Sequence, residues 1–278
     1  MIEFKNVSYS YLKDTSKAID ELSFKAPDGM ITLICGKSGC GKSTLIRLVN
    51  GLCPNYYKGI FKGDILIDGI SYLDCEDLGI ISKKVGSLFQ NPERQFFALT
   101  VEDEIAFSLQ WKNLSLDELN SRLEQSLKRF NLTDIRKSKL SDLSSGQKQK
   151  VGLAALYALG VKNIILDEPT SNLDNKSINE LKDILKELAN DGFCIMICDH
   201  RLYYLKETNC KILLLDKGRK VYFENFNSLE NNPEIHSLRS FNLEKPFKWN
   251  DVSANKRPIF LKGDGICFKY KDGPEIFN

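Results

Sequence analysis

The sequence predicts an α/β fold built on a mainly parallel sheet, with helices on both faces of that sheet and a separate helical insert. Two observations support this prediction. Short apolar runs typical of buried strands alternate with helical segments in the second half of the chain. A long stretch with three- and four-residue apolar spacing separates these runs from an earlier strand and a glycine-rich loop.

The composition is that of a globular protein, because 42% of the 278 residues are apolar and 27% are charged. The longest uncharged apolar stretch, residues 151–161, is about half of the ~20 residues that a membrane-spanning helix needs. No signal pattern opens the chain, so we expect any membrane association to be peripheral. The eight cysteines form no C-x-x-C pair, which is typical of reduced cytosolic thiols. A net charge of +2 gives no argument for a nucleic-acid partner.

The start of the chain predicts short β-strands. Residues 3–11 alternate between apolar and polar side chains, and a second run of this kind lies at 18–26. Turn residues at 27–29 close this region, and another strand pair flanks the turn at 68–69.

Residues 36–43 fit the phosphate-loop pattern G-x-x-x-x-G-K-[ST] and directly follow an apolar run that predicts a strand. Glycines let successive backbone N–H groups surround a β-phosphate, and the next helix adds its partial positive charge. Lys42 is placed to reach the β- and γ-phosphates, and the hydroxyl of Ser43 suits Mg²⁺. We therefore predict nucleoside triphosphate binding. The residues expected at this site are Gly36, Lys37, Ser38, Gly39, Cys40, Gly41, Lys42, Ser43 and Thr44.

Residues 100–143 follow a helical period, so a helical insert is expected at about 95–150. Strands of the buried type then alternate with helical segments, which predicts parallel strands joined by helices. These strands and helices follow one another at 163–166, 178–188, 193–197, 202–206 and 212–215.

The C-terminal residues resemble the N-terminal ones, since the pattern of residues 266–271 repeats that of 7–12. We expect one domain at 1–230, a linker at 231–260 and the start of a second, truncated domain at 261–278. An unrelated terminal strand is the alternative interpretation. The region of the linker holds six basic residues against two acidic ones between 239 and 262, as expected for a solvated segment.

A strand ending in two carboxylates indicates hydrolytic chemistry. The apolar run 164–166 leads into Asp167 and Glu168, and this placement puts one carboxylate beside Mg²⁺ and lets its neighbour face an attacking water. Such acidic pairs are common by chance, so the prediction depends on the phosphate loop upstream. A small-residue helix entry lies between the two sites, suited either to anion binding or to plain helix capping. It consists of Leu143, Ser144, Ser145, Gly146 and Gln147.

Five motifs follow one another along the chain: the phosphate loop, the 143–147 signature, Asp167-Glu168, the segment 171–174 and His200. With these motifs in this order, the chain resembles the ATPase subunit of an ABC transporter over residues 1 to about 225. Residues 89–97 followed by 100–107 are similar to the energy-coupling factor ATPases, which drive vitamin and metal-ion uptake. The resemblance implies a P-loop NTPase core, a helical subdomain and a small antiparallel β-subdomain, in agreement with the layout above. Tandem ATPase chains also occur in that family, which would accommodate the restart at 261.

The resemblance also implies individual roles. Tyr11 is expected to stack on adenine, Gln90 to sense Mg²⁺ and the γ-phosphate, and His200 to contact the γ-phosphate during hydrolysis. Asp174 is expected at a dimer contact, where the phosphate loop of one subunit faces the 144–147 signature of another. The implied metal site consists of Ser43, Gln90 and Asp167.

The chain departs from the family pattern at two places. Ser145 replaces the first of two glycines usual in the signature, which adds a Cβ where the backbone approaches phosphate. Cys198 and Asp199 precede His200 where threonine is frequent. Because Glu168 and His200 are both present, this site is expected to hydrolyse ATP.

The resulting expectation is an ATP-hydrolysing, Mg²⁺-dependent subunit that closes on ATP as a head-to-tail dimer and powers solute uptake. Its partners would be a second ABC ATPase domain, a transmembrane coupling subunit and a substrate-binding membrane subunit, at the cytoplasmic face of the membrane. The groove near Gln90 to Phe97 is expected to receive a coupling helix, with Phe96 and Phe97 as anchors or as core residues. A tandem ABC protein acting on ribosomes is the main alternative, and a DNA-maintenance ATPase is disfavoured by the absence of long heptads. The resemblance assigns recognition of the transported solute to the separate membrane subunit.

Overall fold

The computed structural model describes residues 1–226, apart from 13, 15 and 75–77, and two short strands near the C-terminus. The chain divides into two compact units, Met1–Leu243 and Glu244–Asn278. The predicted linker at 231–260 and most of the predicted restart lie outside the described residues. No helix among the described residues is long and apolar enough to cross a bilayer.

The first unit contains ten strands and seven helices among its described residues. The strands are β1 (Ile2–Tyr11), β2 (Ile19–Ala26), β3 (Met30–Cys35), β4 (Gly59–Ile67), β5 (Ile70–Ser71), β6 (Val85–Leu88), β7 (Asn163–Asp167), β8 (Cys194–Cys198), β9 (Cys210–Asp216) and β10 (Arg219–Asn225). The helices are α1 (Lys42–Val49), α2 (Leu52–Asn55), α3 (Leu78–Ser82), α4 (Val101–Leu109), α5 (Leu116–Arg129), α6 (Ser145–Leu159) and α7 (Asn175–Asn190).

A six-stranded sheet forms the centre of this unit, in the order β10-β9-β3-β8-β7-β6. All neighbouring strands are parallel except β10, which runs antiparallel to β9 at one edge. The mainly parallel sheet predicted from the buried apolar runs is therefore confirmed. The carboxyl ends of its parallel strands lie at one edge, where β3 leads into the glycine-rich loop and β7 ends at Asp167.

The two faces of the central sheet are covered differently. On β7, Ile164 and Leu166 pack against helices α4 to α7, whereas Ile165 packs against α1 and the antiparallel strands. This alternation follows from the two-residue period of a strand. The expectation of helices on both faces is thus only partly met, because a second sheet covers much of the face that holds α1.

That second sheet is antiparallel and has the order β2-β1-β4-β5. In β1, Ile2 and Phe4 point into the core beneath it, and Phe4 stacks on Phe24 of β2 at 4.7 Å. The pairing of β1 with β2 also carries Tyr9 and Tyr11 toward α1. The antiparallel β-subdomain implied by the family resemblance is present.

The helical insert consists of α4, α5 and α6. Serine hydroxyls join these helices: Ser126 on α5 donates to the Ala154 carbonyl over 2.6 Å, and Ser108 on α4 donates to Ala155 over 3.3 Å. The predicted helical stretch ends at Arg129, because residues 133–135 and 140–142 form single 3₁₀ turns. The helix predicted at 202–206 is likewise one 3₁₀ turn, since few residues separate β8 from β9.

The second unit contains one described strand pair, β11 (Phe268–Lys269) and β12 (Glu275–Phe277), which run antiparallel with Phe268 opposite Phe277. β1 and β2 are also an antiparallel pair. The start of a second domain at 261–278 stays a prediction.

Candidate functional site

The loop at 36–43 is folded back on itself at the end of β3. The N–H of Cys40 donates to the Lys37 carbonyl over 3.2 Å, and the N–H of Gly218 donates to the Cys40 carbonyl over 2.9 Å. Gly41 has φ of +111°, and a Cβ at this position would lie 2.6 Å from the Ala18 carbonyl oxygen. A side chain there would therefore clash with the backbone just before β2, which explains the glycine.

Lys42 begins α1 and reaches back into the loop. Its ammonium group donates to the carbonyl oxygens of Gly36 and Lys37 over 2.8 and 3.1 Å, and the residue is only 9% exposed. The charge therefore lies at the centre of the loop. The next residue, Ser43, is exposed, so its hydroxyl is available for a ligand.

Asp167 lies beside the loop because β7 and β8 are neighbours. Asp167 pairs in register with Cys198, whose Sγ lies 4.0 Å from the Lys42 carbonyl oxygen. Burial raises the pKa of Asp167, and the negative charge of Glu168 raises it further, while Arg47 and Lys42 oppose this shift. A carboxylate in this surrounding gains from a cation at its open side.

Glu168 is held at both oxygens by the two residues expected to sense phosphate. Gln90 donates to its Oε2 over 3.1 Å, and the Nε2 of His200 lies 3.3 Å from its Oε1. Glu168 has φ of +47°, a backbone conformation that is uncommon for a residue with a side chain. Such local strain persists where the surrounding structure fixes it and is concentrated at functional sites.

The buried carboxylate of Asp199 holds the backbone at His200, a role that the sequence did not reveal. Its Oδ1 accepts the backbone N–H groups of His200 and Arg201 over 2.7 and 3.0 Å. Its Oδ2 accepts the hydroxyls of Thr170 and Tyr204 over 2.8 and 3.3 Å. Asp199 is 3% exposed, and this burial raises its pKa against the lowering effect of the hydrogen bonds. An aspartate directly after a buried strand was the only signal for it.

The glycine-rich loop, the start of α1, Glu168 and His200 line one cleft of about 360 Å³. This volume is in the range of small-molecule sites. The predicted residues that line it are Tyr11, Ser38, Gly39, Gly41, Lys42, Ser43, Thr44, Glu168 and His200. Gln90 joins this group through Glu168, and Asp167 lies behind it next to the loop. Gly36 and Cys40 are buried under the loop, and Lys37 contributes its carbonyl.

The 144–147 signature lies outside this cleft, at the start of α6. Ser144 caps the helix, and it exchanges two hydrogen bonds with Gln147 in a capping box. Ser144 and Ser145 are exposed. A Cβ on Gly146 would lie 2.6 Å from the Oγ of Ser177, so the glycine permits close approach of α6 to α7.

Asp174 also lies outside the cleft and caps α7. Its Oδ1 accepts the N–H of Ser177 over 2.8 Å. The hydrogen bonds from Ser177 lower the pKa of Asp174, so the carboxylate stays charged on the exposed surface. The residues expected to serve a second subunit are thus separate from those that line the cleft.

Comparison with known proteins agrees with this geometry. A family model described as ABC transporter matches residues 19–171, more than half of the chain. The chain belongs to the ABC transporter family. ATP-binding domains of this family bind ATP, typically with Mg²⁺, hydrolyse it, and function as dimers with transmembrane subunits.

Relatives within the ABC transporter family extend the comparison. A putative ABC transporter ATP-binding protein of Treponema denticola is 36% identical over 280 residues, which cover 98% of this chain and 56% of the relative. A putative HMP/thiamine import ATP-binding protein of Bacillus subtilis is 33% identical and is aligned over 88% of this chain and 45% of its own length. The chain thus spans about half the length of these relatives.

A solved ABC transporter structure has the same fold. The protein cbiO1 of Clostridium perfringens, described as part of the transporter complex cbiONQ, superposes with a TM-score of 0.76 at 27% identity. The match covers 84% of this chain and 92% of the other. The α/β P-loop fold with a mainly parallel sheet is therefore shown.

The residues at the cleft fit a triphosphate and a divalent cation. Lys42 provides an ammonium group inside the loop. Ser43 and Asp167 provide oxygen donors, the ligand type that Mg²⁺ prefers. Gln90 contributes an amide next to Glu168.

Proposed function

We propose that this chain is the ATP-binding and ATP-hydrolysing subunit of an energy-coupling factor type ABC transporter that takes up a vitamin or a metal ion. The observation that carries the proposal is the placement of Glu168, whose two carboxylate oxygens are held by Gln90 and His200 at the wall of the cleft that holds Lys42. A carboxylate so held beside a phosphate loop is suited to polarise a water molecule.

Each residue has a distinct part in the proposed hydrolysis. The loop amides and Lys42 bind the phosphates and neutralise their charge. Ser43, Asp167 and Gln90 would hold Mg²⁺, which when bound neutralises charge on the phosphate oxygens. Glu168 orients the attacking water and accepts its proton, and His200 fixes the Glu168 carboxylate. Tyr11 also lines the cleft and provides a ring for the base.

We further propose that a second ATPase domain completes the site. The exposed Ser144 and Ser145 at the start of α6, together with Asp174, are separate from the cleft, which is the arrangement expected if they serve the phosphate loop of another subunit. The exposed N-terminus of α6 favours an anion. The extra side chain of Ser145 would weaken this contact relative to glycine. That subunit could be a second copy, a paralogue or the other half of a tandem chain, as the greater length of the relatives suggests.

A membrane partner is proposed to dock near residues 89–99. Phe97 and Leu99 are 78% and 81% exposed, whereas Phe96 is partly buried against the core. Phe97 stacks on Phe107 at 5.3 Å, so its ring is held in place. Apolar side chains presented in this way are suited to anchor a helix of a transmembrane subunit. The name of the Bacillus relative, an HMP/thiamine import protein, supports uptake of a vitamin, and the transporter complex to which cbiO1 belongs supports a membrane partner.

Fractionation of cells that produce the tagged full-length protein tests this function against the ribosomal alternative. We expect it to co-purify with the membrane in a complex with integral membrane proteins, and the purified complex to hydrolyse ATP in the presence of Mg²⁺. Co-sedimentation with ribosomes, without membrane association, would contradict the transport role. Phe97→Ser should reduce membrane co-purification and leave ATP binding unchanged, because the ring lies outside the cleft. Phe107→Ser should reduce membrane co-purification less than Phe97→Ser does, since it removes only the ring on which Phe97 stacks.

A further inference from the structure

The last turn of α1 contacts Tyr11 at the mouth of the cleft. The guanidinium Nη1 of Arg47 donates to the Tyr11 hydroxyl over 3.1 Å, and the same hydroxyl lies 3.1 Å from the Oγ1 of Thr44. Because the phenol oxygen accepts from Arg47, its own proton is free to point to Thr44. Thr44 and Arg47 are three residues apart on α1, so they lie on one face of the helix.

Two neighbouring rings complete this contact. Tyr9 and Tyr57 meet the Tyr11 ring edge-on, with centroid distances of 5.0 and 6.4 Å. The guanidinium carbon of Arg47 lies 4.3 Å from the centroid of Tyr57, within the range of a cation–π contact. Tyr9 in turn donates to the Tyr57 carbonyl over 2.6 Å. Arg47 therefore holds both Tyr11 and the residue against which Tyr11 packs.

This arrangement places two functions on one short helix. The N-terminus of α1 carries Lys42 and Ser43, which face the phosphate side of the cleft. Thr44 in the same first turn and Arg47 in the last turn contact the Tyr11 hydroxyl. A rigid element that bears both sets of contacts sets the distance between them.

We propose that Arg47 is a positioning residue for recognition of the nucleotide base: it fixes the ring of Tyr11 in the stacking position without touching the nucleotide. The inference rests on the proposed function, in which Tyr11 stacks on adenine. Arg47 is not among the residues that line the cleft, so it acts on the phosphates at Lys42 only through the long-range effect of its charge. Loss of the guanidinium frees the Tyr11 hydroxyl from its donor and removes the cation from the face of Tyr57, so the ring must be ordered again each time a base binds.

Calorimetric titration with two ligands tests this role. MgATP has a base, whereas inorganic tripolyphosphate with Mg²⁺ presents the phosphates alone. Arg47→Met keeps the length of the side chain and removes its charge and donors. We expect it to weaken ATP binding about tenfold, because the freed ring must be ordered when the base binds, and to weaken tripolyphosphate binding much less, since there only the long-range effect of the charge is lost. Equal weakening of both ligands would overturn the inference, because it would indicate damage to α1, and so would no change in ATP affinity.

Tyr11→Phe provides an independent variant, because it keeps the ring and removes only the hydroxyl. We expect it to reproduce the loss of ATP affinity, and the double variant with Arg47→Met to bind ATP no more weakly than either single one. Additive losses would contradict a route through the Tyr11 hydroxyl. Arg129→Met is the matched control, because Arg129 pairs with Glu187 and Asp191 on the surface and should affect neither ligand.

The same titrations separate this inference from the proposed function. Wild-type protein that binds neither ligand would overturn both. ATP binding that is abolished by Lys42→Ala but unaffected by Arg47→Met would leave the proposed function intact and overturn only the role of Arg47.

Discussion

The Nε2 of His200 lies 3.3 Å from the Oε1 of Glu168, across the gap between the ends of two neighbouring parallel strands. Gln90 holds the other oxygen of this carboxylate from the end of β6. Gln90 and His200 are 110 positions apart in the sequence. The ends of three neighbouring strands thus bring together one carboxylate and a partner for each of its oxygens. In the proposed reaction, a further lone pair of this held carboxylate accepts the proton of the attacking water, and this step sets the first prediction.

Glu168→Gln should retain ATP binding and lose turnover. The amide is close in size to the carboxylate and can still bond to His200, but it cannot accept a proton from water. We expect the rate of hydrolysis to fall by at least about 100-fold, the range for loss of a general base. Steady-state ATPase assays and gel filtration with ATP measure this, and a trapped dimer is expected. Hydrolysis close to the wild-type rate would remove Glu168 from the proposed role.

As the pH falls, the loss of Mg²⁺ binding should begin at a higher pH than is usual for an aspartate site. Burial and the charge of Glu168 raise the pKa of Asp167 above its ordinary value of 3.8. Asp167 therefore takes up a proton, and loses its ability to bind a cation, while an exposed aspartate is still charged. By linkage, protonation of Asp167 stabilises the metal-free fold as the pH falls through this raised pKa.

Mg²⁺ titrations of nucleotide binding at a series of pH values check this dependence. In Glu168→Gln the neighbouring charge is absent, so the midpoint of the pH dependence should move to lower pH. An unchanged midpoint would mean that burial alone sets the Asp167 pKa.

The side chain of Asp199 should be essential for stability through its acceptors rather than its charge. Asp199→Leu leaves two backbone N–H groups and two hydroxyls without their partner in a buried place, at a cost of about 1–3 kcal/mol for each unpaired group. Asp199→Asn keeps one oxygen for the N–H groups of His200 and Arg201, and the hydroxyls of Thr170 and Tyr204 can rotate to accept from the amide.

Thermal unfolding of both variants distinguishes these cases. We expect a large decrease of the melting temperature for Asp199→Leu and a small one for Asp199→Asn. Burial raises the pKa of Asp199, so its ionisation disfavours the folded state as the pH rises through that pKa. The Asn variant should lack this contribution and lose less stability than the wild type as the pH rises.

Much of the site could be predicted because its signals are local. Lys42 is specified by the spacing of a loop of eight residues, and Asp167 and Glu168 by a strand that ends in two carboxylates. Asp199 and Arg47 could not be predicted, because their roles depend on partners 29 and 36 positions away, Thr170 and Tyr11. An aspartate or arginine alone does not indicate such partners.

The fold shows the same division. Strands β3, β7 and β8 were predicted because they are apolar on both faces. β6 was missed, because Gly86 and Ser87 interrupt its apolar pattern and its pairing with β7 becomes evident only in the sheet. The second sheet over α1 was missed as a covering layer, since the alternation of β1 indicates one buried face without indicating what lies beneath it.

Gly146→Ala should destabilise the contact between α6 and α7. The added Cβ would lie 2.6 Å from the Oγ and 2.9 Å from the Cβ of Ser177, and such overpacking costs about 1–3 kcal/mol. Ser177→Gly removes both atoms and should restore much of the stability in the double variant. Chemical denaturation of the four proteins gives the coupling energy. Additive effects would show that the helices move apart freely.

Glu104 connects the helical insert with the proposed docking segment. It is 6% exposed, and its Oε2 accepts the N–H groups of Phe97 and Ala98, both over 2.8 Å. These bonds fix the backbone from which Phe97 extends into solvent. Glu104→Ala removes the acceptor and should free this backbone, whereas Glu104→Gln keeps an oxygen for both donors.

Hydrogen exchange should therefore be faster at the amides of Phe97 and Ala98 in Glu104→Ala than in Glu104→Gln or in the wild type. Because Glu104 lies outside the nucleotide cleft, ATP affinity should be equal in all three proteins. Co-purification with the membrane should decrease in the order wild type, Gln variant, Ala variant, since an anchor on a mobile backbone loses conformational entropy when it docks. Faster exchange without weaker membrane association would show that Phe97 is not the anchor, whereas weaker ATP binding would show that Glu104 supports the cleft instead.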